Sequence, residues 1–275
     1  MTYITASDVR RASGAPASLI SDELINGAIT IVEAEMQRWM NTAFVPTQRI
    51  EHRDGNNLGR MFLMKNPVLS VRQLTLNEAT AVTPSTLFIE KQSGKLTLSR
   101  DSESGTFVQG THNTFIRYLY GLLEDSPTAT TLSTATVAGT TISMTVASIT
   151  GFVDDDWVEI LGMDGTREVA QIDGTPGAGV IIIDQLVYTH AANSSITKLQ
   201  IPYYIKRFME IEAAIYIAVY AIGGTYAFNT SYTLGELSVN KGEPYPQWRE
   251  VIQRMINERK MRRETIRIRP SILVD

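Results

Sequence analysis

Residues Pro202 to Gly223, PYYIKRFMEIEAAIYIAVYAIG, constrain the fold most, because they call for a helix and then for that helix to be hidden. Pro202 suits the first helical position, where its missing N–H costs nothing. Ile205, Phe208, Met209, Ile215, Tyr216, Val219 and Ile222 recur at helical spacing, and Gly223-Gly224 reads as a stop. From Ala213 to Ile222 the surface is apolar all round, which predicts burial in a core or between subunits. Lys206, Arg207, Glu210 and Glu212 interrupt the run well short of the ~20 apolar residues of a membrane span. The expectation is a core or subunit-packing helix, with no membrane partner.

At 275 residues the chain has room for two modest domains or one large one. With 43% hydrophobic and 20% charged residues it reads as an ordinary soluble globular protein, and the net charge of −4 does not select a partner class. The absence of cysteine excludes disulfides, thiolate metal sites and Cys nucleophiles. The N-terminal MTYITASDVRRASG lacks the apolar core of a signal peptide and reads as the start of a mature cytosolic protein.

Thr5-Ala-Ser-Asp8 has the side-chain oxygens that begin a helix, which runs from Ser7 to Ser13 and ends at Gly14-Ala-Pro16. Ser21-Asp-Glu23 opens a second helix, ended by Asn41 and Pro46. Its inward face carries Ile25, Ala28, Val32, Met36 and Trp39, and its outward face Glu33, Gln37 and Arg38. From Gln48 to Gly121 short strands alternate with turns: Arg60–Met64, Val68–Leu76, a hairpin of Leu87–Glu90 and Lys95–Leu98 about Ser93-Gly94, and Thr114–Tyr120.

Composition shifts at Asp125-Ser-Pro127. From there to Lys198 the chain is rich in Thr, Ser, Ala, Gly and Val, with strand-like runs at Thr141–Val146, Trp157–Leu161, Glu168–Ile172, Val180–Ile183 and Ser195–Leu199. Asp164-Gly165 and Asp173-Gly174 supply turns. The spacing predicts an all-β sandwich or barrel over residues 126–198, inserted as a separate domain into a host formed by 1–125 and 199–275. Eight acids against Arg167 and Lys198 give the insert a local charge of −6. After the central helix comes a loop holding Tyr232, Leu234, Glu236 and Leu237. A helix from Pro246 then carries Trp248, Ile252, Met255 and Ile256 on one face. Arg254 to Arg269 holds seven cations against Glu258 and Glu264, a local +5, and the chain ends in alternating and then apolar residues. Such a tail fits a docking arm, a solvated helix face or a phosphate-tracking segment.

Chemistry-bearing patterns are sparse. His52, His112 and His190 lie in separate segments, and none forms an i, i+4 ligand pair. Asp154-Asp-Asp156 clusters carboxylates without the spacing of a calcium loop, so a solvated turn is the simpler reading. Gly174-Thr-Pro-Gly-Ala-Gly179 lacks the Lys-Ser/Thr and following helix of a phosphate cradle, and no G-x-S-x-G occurs. No catalytic residue, cofactor or metal is expected, and the chain does not read as an enzyme.

The order of several short motifs resembles the head–tail connector, or adaptor, proteins of tailed double-stranded DNA viruses. The motifs are I-T-x-x-D-V (Ile4, Thr5, Asp8, Val9), N-T-A-F (Asn41–Phe44), L-x-x-x-P-V-x-S-V (Leu63, Pro67, Val68, Ser70, Val71), S-G-K-L (Ser93–Leu96), a Tyr-rich strand closing on Gly121, I-P-Y-Y-I-K (Ile201–Lys206) and Y-T-L-G-E-L-S-V (Tyr232–Val239). They span roughly 200 of the 275 residues. In the family the Tyr/Gly strand runs almost directly into the Pro-initiated helix, so residues 126–198 depart from the pattern.

The resemblance implies an α+β fold: a helical-bundle adaptor core with a small β element, here with the inserted all-β domain. It implies a homo-oligomeric ring, typically a dodecamer, beneath the portal protein, through which genomic DNA passes without sequence-specific binding. The virion's head–tail interface is the implied location, with assembly in the host cytoplasm. The segment from about 262 to 275 (Arg262, Arg263, Ile266, Arg267, Ile268, Arg269, Ile272, Leu273, Val274) is the implied portal-docking arm. Tyr232, Leu234, Glu236 and Leu237 fall on the channel or tail-side loop, facing a tail-completion or next connector protein. The alternative is a multimeric binding module whose β insert recognises a carbohydrate or host-surface ligand. Phe152, Trp157 and Tyr188 are its aromatic candidates, although their strand-like contexts favour core positions.

Overall fold

The computed structural model describes residues 3–14, 20–77, 80–82, 87–98, 105–226, 231–234, 237–240 and 246–267; side chains at 80, 219–226, 231–234, 237–240, 246–252 and 264–267 fall outside that description. The chain forms two compact units, Asn41–Ile201 and a second built from both ends, Met1–Met40 with Pro202–Asp275.

The unit Asn41–Ile201 is all strand. β1 (Thr47–Gly55), β2 (Arg60–Phe62), β3 (Val68–Leu76), β4 (Thr80–Ala81), β5 (Leu87–Glu90), β6 (Lys95–Leu98) and β7 (Gly110–Tyr120) make two sheets, ordered β1-β7-β3-β4 and β2-β6-β5. Their facing sides enclose Leu63, Val71, Leu74, Leu96, Phe107, Ile116 and Tyr118. The turn at Gly55 needs glycine, because a Cβ there would stand 1.7 Å from the Val108 carbonyl oxygen.

β8 (Glu124–Thr131), β9 (Gly139–Thr145), β10 (Trp157–Leu161), β11 (Arg167–Gln171), β12 (Val180–Leu186) and β13 (Ser195–Gln200) form sheets ordered β11-β10-β13-β8 and β12-β9. They close over Leu132, Met144, Phe152, Val158, Ile160, Ala170, Ile181, Ile183 and Ile196. The Asp164-Gly165 turn joins β10 to β11, with Gly165 at φ 85°. The other face of β10 and β11 is also covered. Val169 and Trp157 pack with Leu69 of β3, Leu119 of β7 and Leu199. Tyr188 Oη donates to the Val71 carbonyl at 2.7 Å, and Lys91 pairs with Glu159. Both strands are therefore buried on two sides, and their sequences lose the alternation of a half-exposed strand. Residues 126–198 lie wholly within this unit.

The second unit is helical. α1 (Ala6–Ser13) is capped as its sequence predicts: the Thr5 side chain accepts from Asp8 N–H, and the Asp8 side chain accepts from Thr5 N–H. α2 (Asp22–Met40) buries Ile25, Ala28, Ile29, Val32 and Met36. α3 (Tyr203–Tyr226) packs against α1, α2 and α4 (Pro246–Arg267). Its side chains from Ile205 to Ile215 are buried at positions 205, 208–211 and 213–215, Glu210 among them. β14 (Ser231–Leu234) and β15 (Leu237–Asn240) form a hairpin between α3 and α4.

Four expectations are corrected. The anticipated helical-bundle core with a small β element is not the fold: among the described residues fifteen strands stand against four helices, and the chain is β-dominated. The reason is that β1, β3 and β7 are long, nine to eleven residues each, and the strands of 126–198 pack directly on them to make one large β unit. On α2, Glu33 points inward and is only 7% exposed. It accepts the N–H groups of Tyr3 (2.5 Å) and Ile4 (3.2 Å), which explains a carboxylate on an apolar face. Trp39 is 41% exposed rather than buried. Gly223-Gly224 also does not stop α3, which continues to Tyr226. Glycine in a helix costs about 1 kcal/mol but does not forbid it.

Candidate functional site

The last helix carries the surface that the sequence singles out for docking. α4 begins at Pro246, a residue pre-set for a first helical turn, and the basic run from Arg254 onward continues as helix to Arg267. Met255 is buried, and Met261, six residues on, is 63% exposed. A shallow open groove runs along Gln253, Arg254, Asn257, Glu258, Met261 and Arg262.

Charge pairs fasten this helix to α3. Glu258 accepts from Arg207 Nε at 3.2 Å and from Arg262 Nε at 3.0 Å, and Arg207 Nη1 also reaches Glu210 at 3.1 Å. Arg259 pairs with Glu212 at 2.8 Å. Burial alone pushes the Glu258 carboxyl up, but the hydrogen bonds from Arg207 and Arg262 outweigh it and hold the group below its ordinary range. At Glu212 the balance reverses: burial outweighs Arg259 and Arg263, and the carboxyl is raised. Arg263 lies over the Trp39 ring at 5.7 Å, and Trp39 stacks on Phe208 with centroids 6.1 Å apart.

Of the docking-arm residues, Arg262 and Arg263 are thus engaged inside the helical unit. Ile266 and Arg267 form the backbone of the last turn, so this part of the arm is helix and not an extended strand. Ile268, Arg269, Ile272, Leu273 and Val274 lie outside the described residues. Among the packing residues Phe208, Met209 and Ile215 are buried, whereas Tyr216 is 45% exposed. Val219 and Ile222 belong to α3, with side chains outside the description. Tyr232, Leu234 and Leu237 sit in the β14–β15 hairpin, and Glu236 is outside the described residues.

The other sequence candidates have structural surroundings. Phe152 is buried, and Trp157 and Tyr188 are half-buried between the two sets of strands, so these three rings do not form an exposed platform. Asp154 accepts from Asp155 N–H and Gly174 N–H, and Asp156 pairs with Lys198 at 2.7 Å. No group of three or more ligating side chains suited to a metal ion occurs among the described residues. Among them, too, no helix is long and apolar enough to cross a membrane.

Among the buried carboxylates missed by sequence reading, two accept both backbone and side-chain groups. Glu168, fully buried, accepts from Val187 N–H (2.5 Å) and Tyr188 N–H (3.1 Å) and lies 3.3 Å from Nε2 of the buried His190. Glu51 accepts from Tyr118 Oη and from Met64 N–H, with Arg49 Nε at 3.2 Å. Burial first, and then this bond to Glu51, drive the Tyr118 phenol far above its ordinary value. The signal available was an acid on the apolar phase of a strand: Glu168 shares its phase with Ala170 and Ile172. Compared with known proteins, the chain matches no protein-family model and no curated protein.

Proposed function

We propose that this chain is a structural head–tail connector subunit of a tailed double-stranded DNA virus. It assembles as a ring beneath the portal, extends the DNA channel and joins capsid to tail without catalysis. The observation that carries the reading is the order of segments from Ile201 onward. I-P-Y-Y-I-K opens α3, Y-T-L-G-E-L-S-V falls on the β14–β15 hairpin, and a basic helix follows. The exposed Tyr216, in the all-apolar stretch from Ala213 to Ile222, suits a surface completed by a neighbouring subunit. The open groove on α4 and the residues beyond it suit the portal-facing role.

The test is the native mass of the purified chain, alone and with a portal preparation. A ring of about a dozen subunits, or a monomer that assembles only on the portal, supports the reading. A monomer or dimer indifferent to the portal refutes it. Truncation after Arg263 should leave the far-ultraviolet spectrum intact and abolish portal docking; docking by the shortened chain would remove the arm from the proposal.

A further inference from the structure

The sheet β1-β7-β3-β4 has one face on the core and one that is only partly covered. The register fixes which residues share the second face. Ile50 of β1 stands opposite Arg117 of β7, which stands opposite Gln73 of β3; one pair along, His52 faces Phe115, which faces Thr75. Gln48, Ile50, His52 and Gln73 are exposed, and Ile50 retains 49% of its surface. Phe115 and Arg117 are half-buried, with His52 edge-on to Phe115 at 5.2 Å and Arg117 over the same ring at 6.0 Å.

The centre of this face is a cation without an anion. Among the described residues Arg117 has no ion pair and makes no side-chain hydrogen bond, and its buried Nε has no partner. Arg72, the extra residue of a bulge beside Gln73, is close to the same state. Its Nε is also buried and unpartnered, and among the described residues its side chain hydrogen-bonds Gln185 alone, at 3.3 Å. The carboxylate at the far end of the face, Asp54, is engaged by His112 N–H at 2.7 Å. A half-buried guanidinium on an aromatic ring, flanked by an exposed isoleucine, has the composition of an interface hot spot. It has lost part of its hydration and gained no carboxylate in return.

The same chain carries a complementary surface. The turn at 153–155 and its neighbour at 173–174 are tied together by Gly174 N–H to Asp154 (2.7 Å) and Asp155 N–H to the Ile172 carbonyl (3.1 Å). Together these turns carry Val153, 56% exposed, and exposed Asp173, which has no ion pair among the described residues. One surface is apolar and basic, and the other apolar and acidic. We propose that they meet between two copies of this chain, with Arg117 of one copy receiving Asp173 of the next while Val153 packs toward Ile50 and Phe115. Because the two patches differ, the contact is heterologous and propagates from copy to copy, closing into a ring where the rotation permits. Phosphate is the poorer occupant: two guanidiniums on a chain of net charge −4 make a weak electrostatic footprint for nucleic acid. The inference shares self-association with the connector reading but does not depend on a portal.

The experiment is charge exchange between copies, read by sedimentation velocity without portal. Arg117→Glu and Asp173→Arg should each weaken self-association about tenfold or more. An equimolar mixture should recover it, because each altered patch then faces its complement. Ile50→Lys, at an exposed position that folding does not need, should weaken it independently. Assembly unchanged in all three single variants overturns the proposal and leaves the connector reading standing. Loss of assembly without recovery in the mixture, when both variants keep the wild-type unfolding profile, also overturns it. So does a wild-type chain that stays monomeric at all concentrations, or one that binds a labelled single-stranded oligonucleotide through Arg117 in place of itself. The connector reading is then decided separately by portal binding.

Discussion

Replacing Glu168 by alanine should unfold the β unit far more readily than its position near a strand end suggests. The carboxylate is fully buried and satisfies two backbone N–H groups, those of Val187 and Tyr188, besides facing His190. Each of the two stranded N–H groups costs about 1–3 kcal/mol, so removing their shared acceptor should cost about 3–5 kcal/mol in all. Glu168→Gln keeps one acceptor oxygen and should cost about 1–2 kcal/mol. Urea unfolding can be followed by Trp157, the sole tryptophan of Asn41–Ile201, in a Trp39→Phe, Trp248→Phe background. With a slope of about 2 kcal/mol per molar, the alanine variant's midpoint should fall by roughly 1.5–2.5 M and the glutamine variant's by about 0.5–1 M. A shift below about 0.3 M for alanine, with unchanged slope, would refute the claim that the Val187 and Tyr188 N–H groups depend on this carboxylate.

Other outcomes follow from the same contacts. Glu258→Gln should cost the helical unit about 1 kcal/mol at neutral pH. Because the folded carboxyl is held below its ordinary range, its contribution is present above the unfolded value and disappears as pH falls through the folded one. Wild type and variant should therefore converge in acid, below the ordinary carboxylate range, in melts across pH. Gly27→Ala, exposed inside α2 with open space at the Cβ position, should stabilise by about 0.5–1 kcal/mol, whereas Gly55→Ala meets backbone at 1.7 Å and should not yield a native β unit by circular dichroism. Tyr188→Phe removes the bond to the Val71 carbonyl and should lower β-unit stability by about 1 kcal/mol in the same urea assay.

Local chemistry was the most legible level of this sequence. The Thr5/Asp8 capping box, the Ser93-Gly94 and Asp164-Gly165 hairpins and the inward row Ile25, Ala28, Val32, Met36 could all be read from side-chain periodicity and turn residues. What failed depends on neighbours distant in the chain. β8 escaped notice because Pro127 interrupts it, yet it lies at a sheet edge where a missing N–H is tolerated. Glu33 looked outward because nothing local says that the backbone at Tyr3 and Ile4 will need an acceptor. The weight of the β unit was underestimated for a similar reason. The sequence of 126–198 looks self-sufficient, and only Val169 and Trp157, apolar on the phase opposite Ala170 and Val158, hint that a second sheet covers them. At the proposed contact, Arg117 carries no sequence signal at all. Its significance lies in the absence of a carboxylate across two neighbouring strands, which only the register discloses.

The helical unit is assembled from the two ends of the chain, with all of Asn41–Ile201 synthesised between them. On a ribosome, α1 and α2 emerge before the strands, with Ile25, Ile29, Val32 and Met36 ready to pack against an α3 that does not yet exist. At ~5–20 residues per second, the intervening segment takes on the order of 8–30 s to appear. The strands can complete their own cores during that delay, while an apolar helix face waits in solvent for its partner. Nascent-chain survival should therefore depend on how well holdase chaperones cover residues 22–40, and a version circularly permuted to begin after Ile201 should need them less.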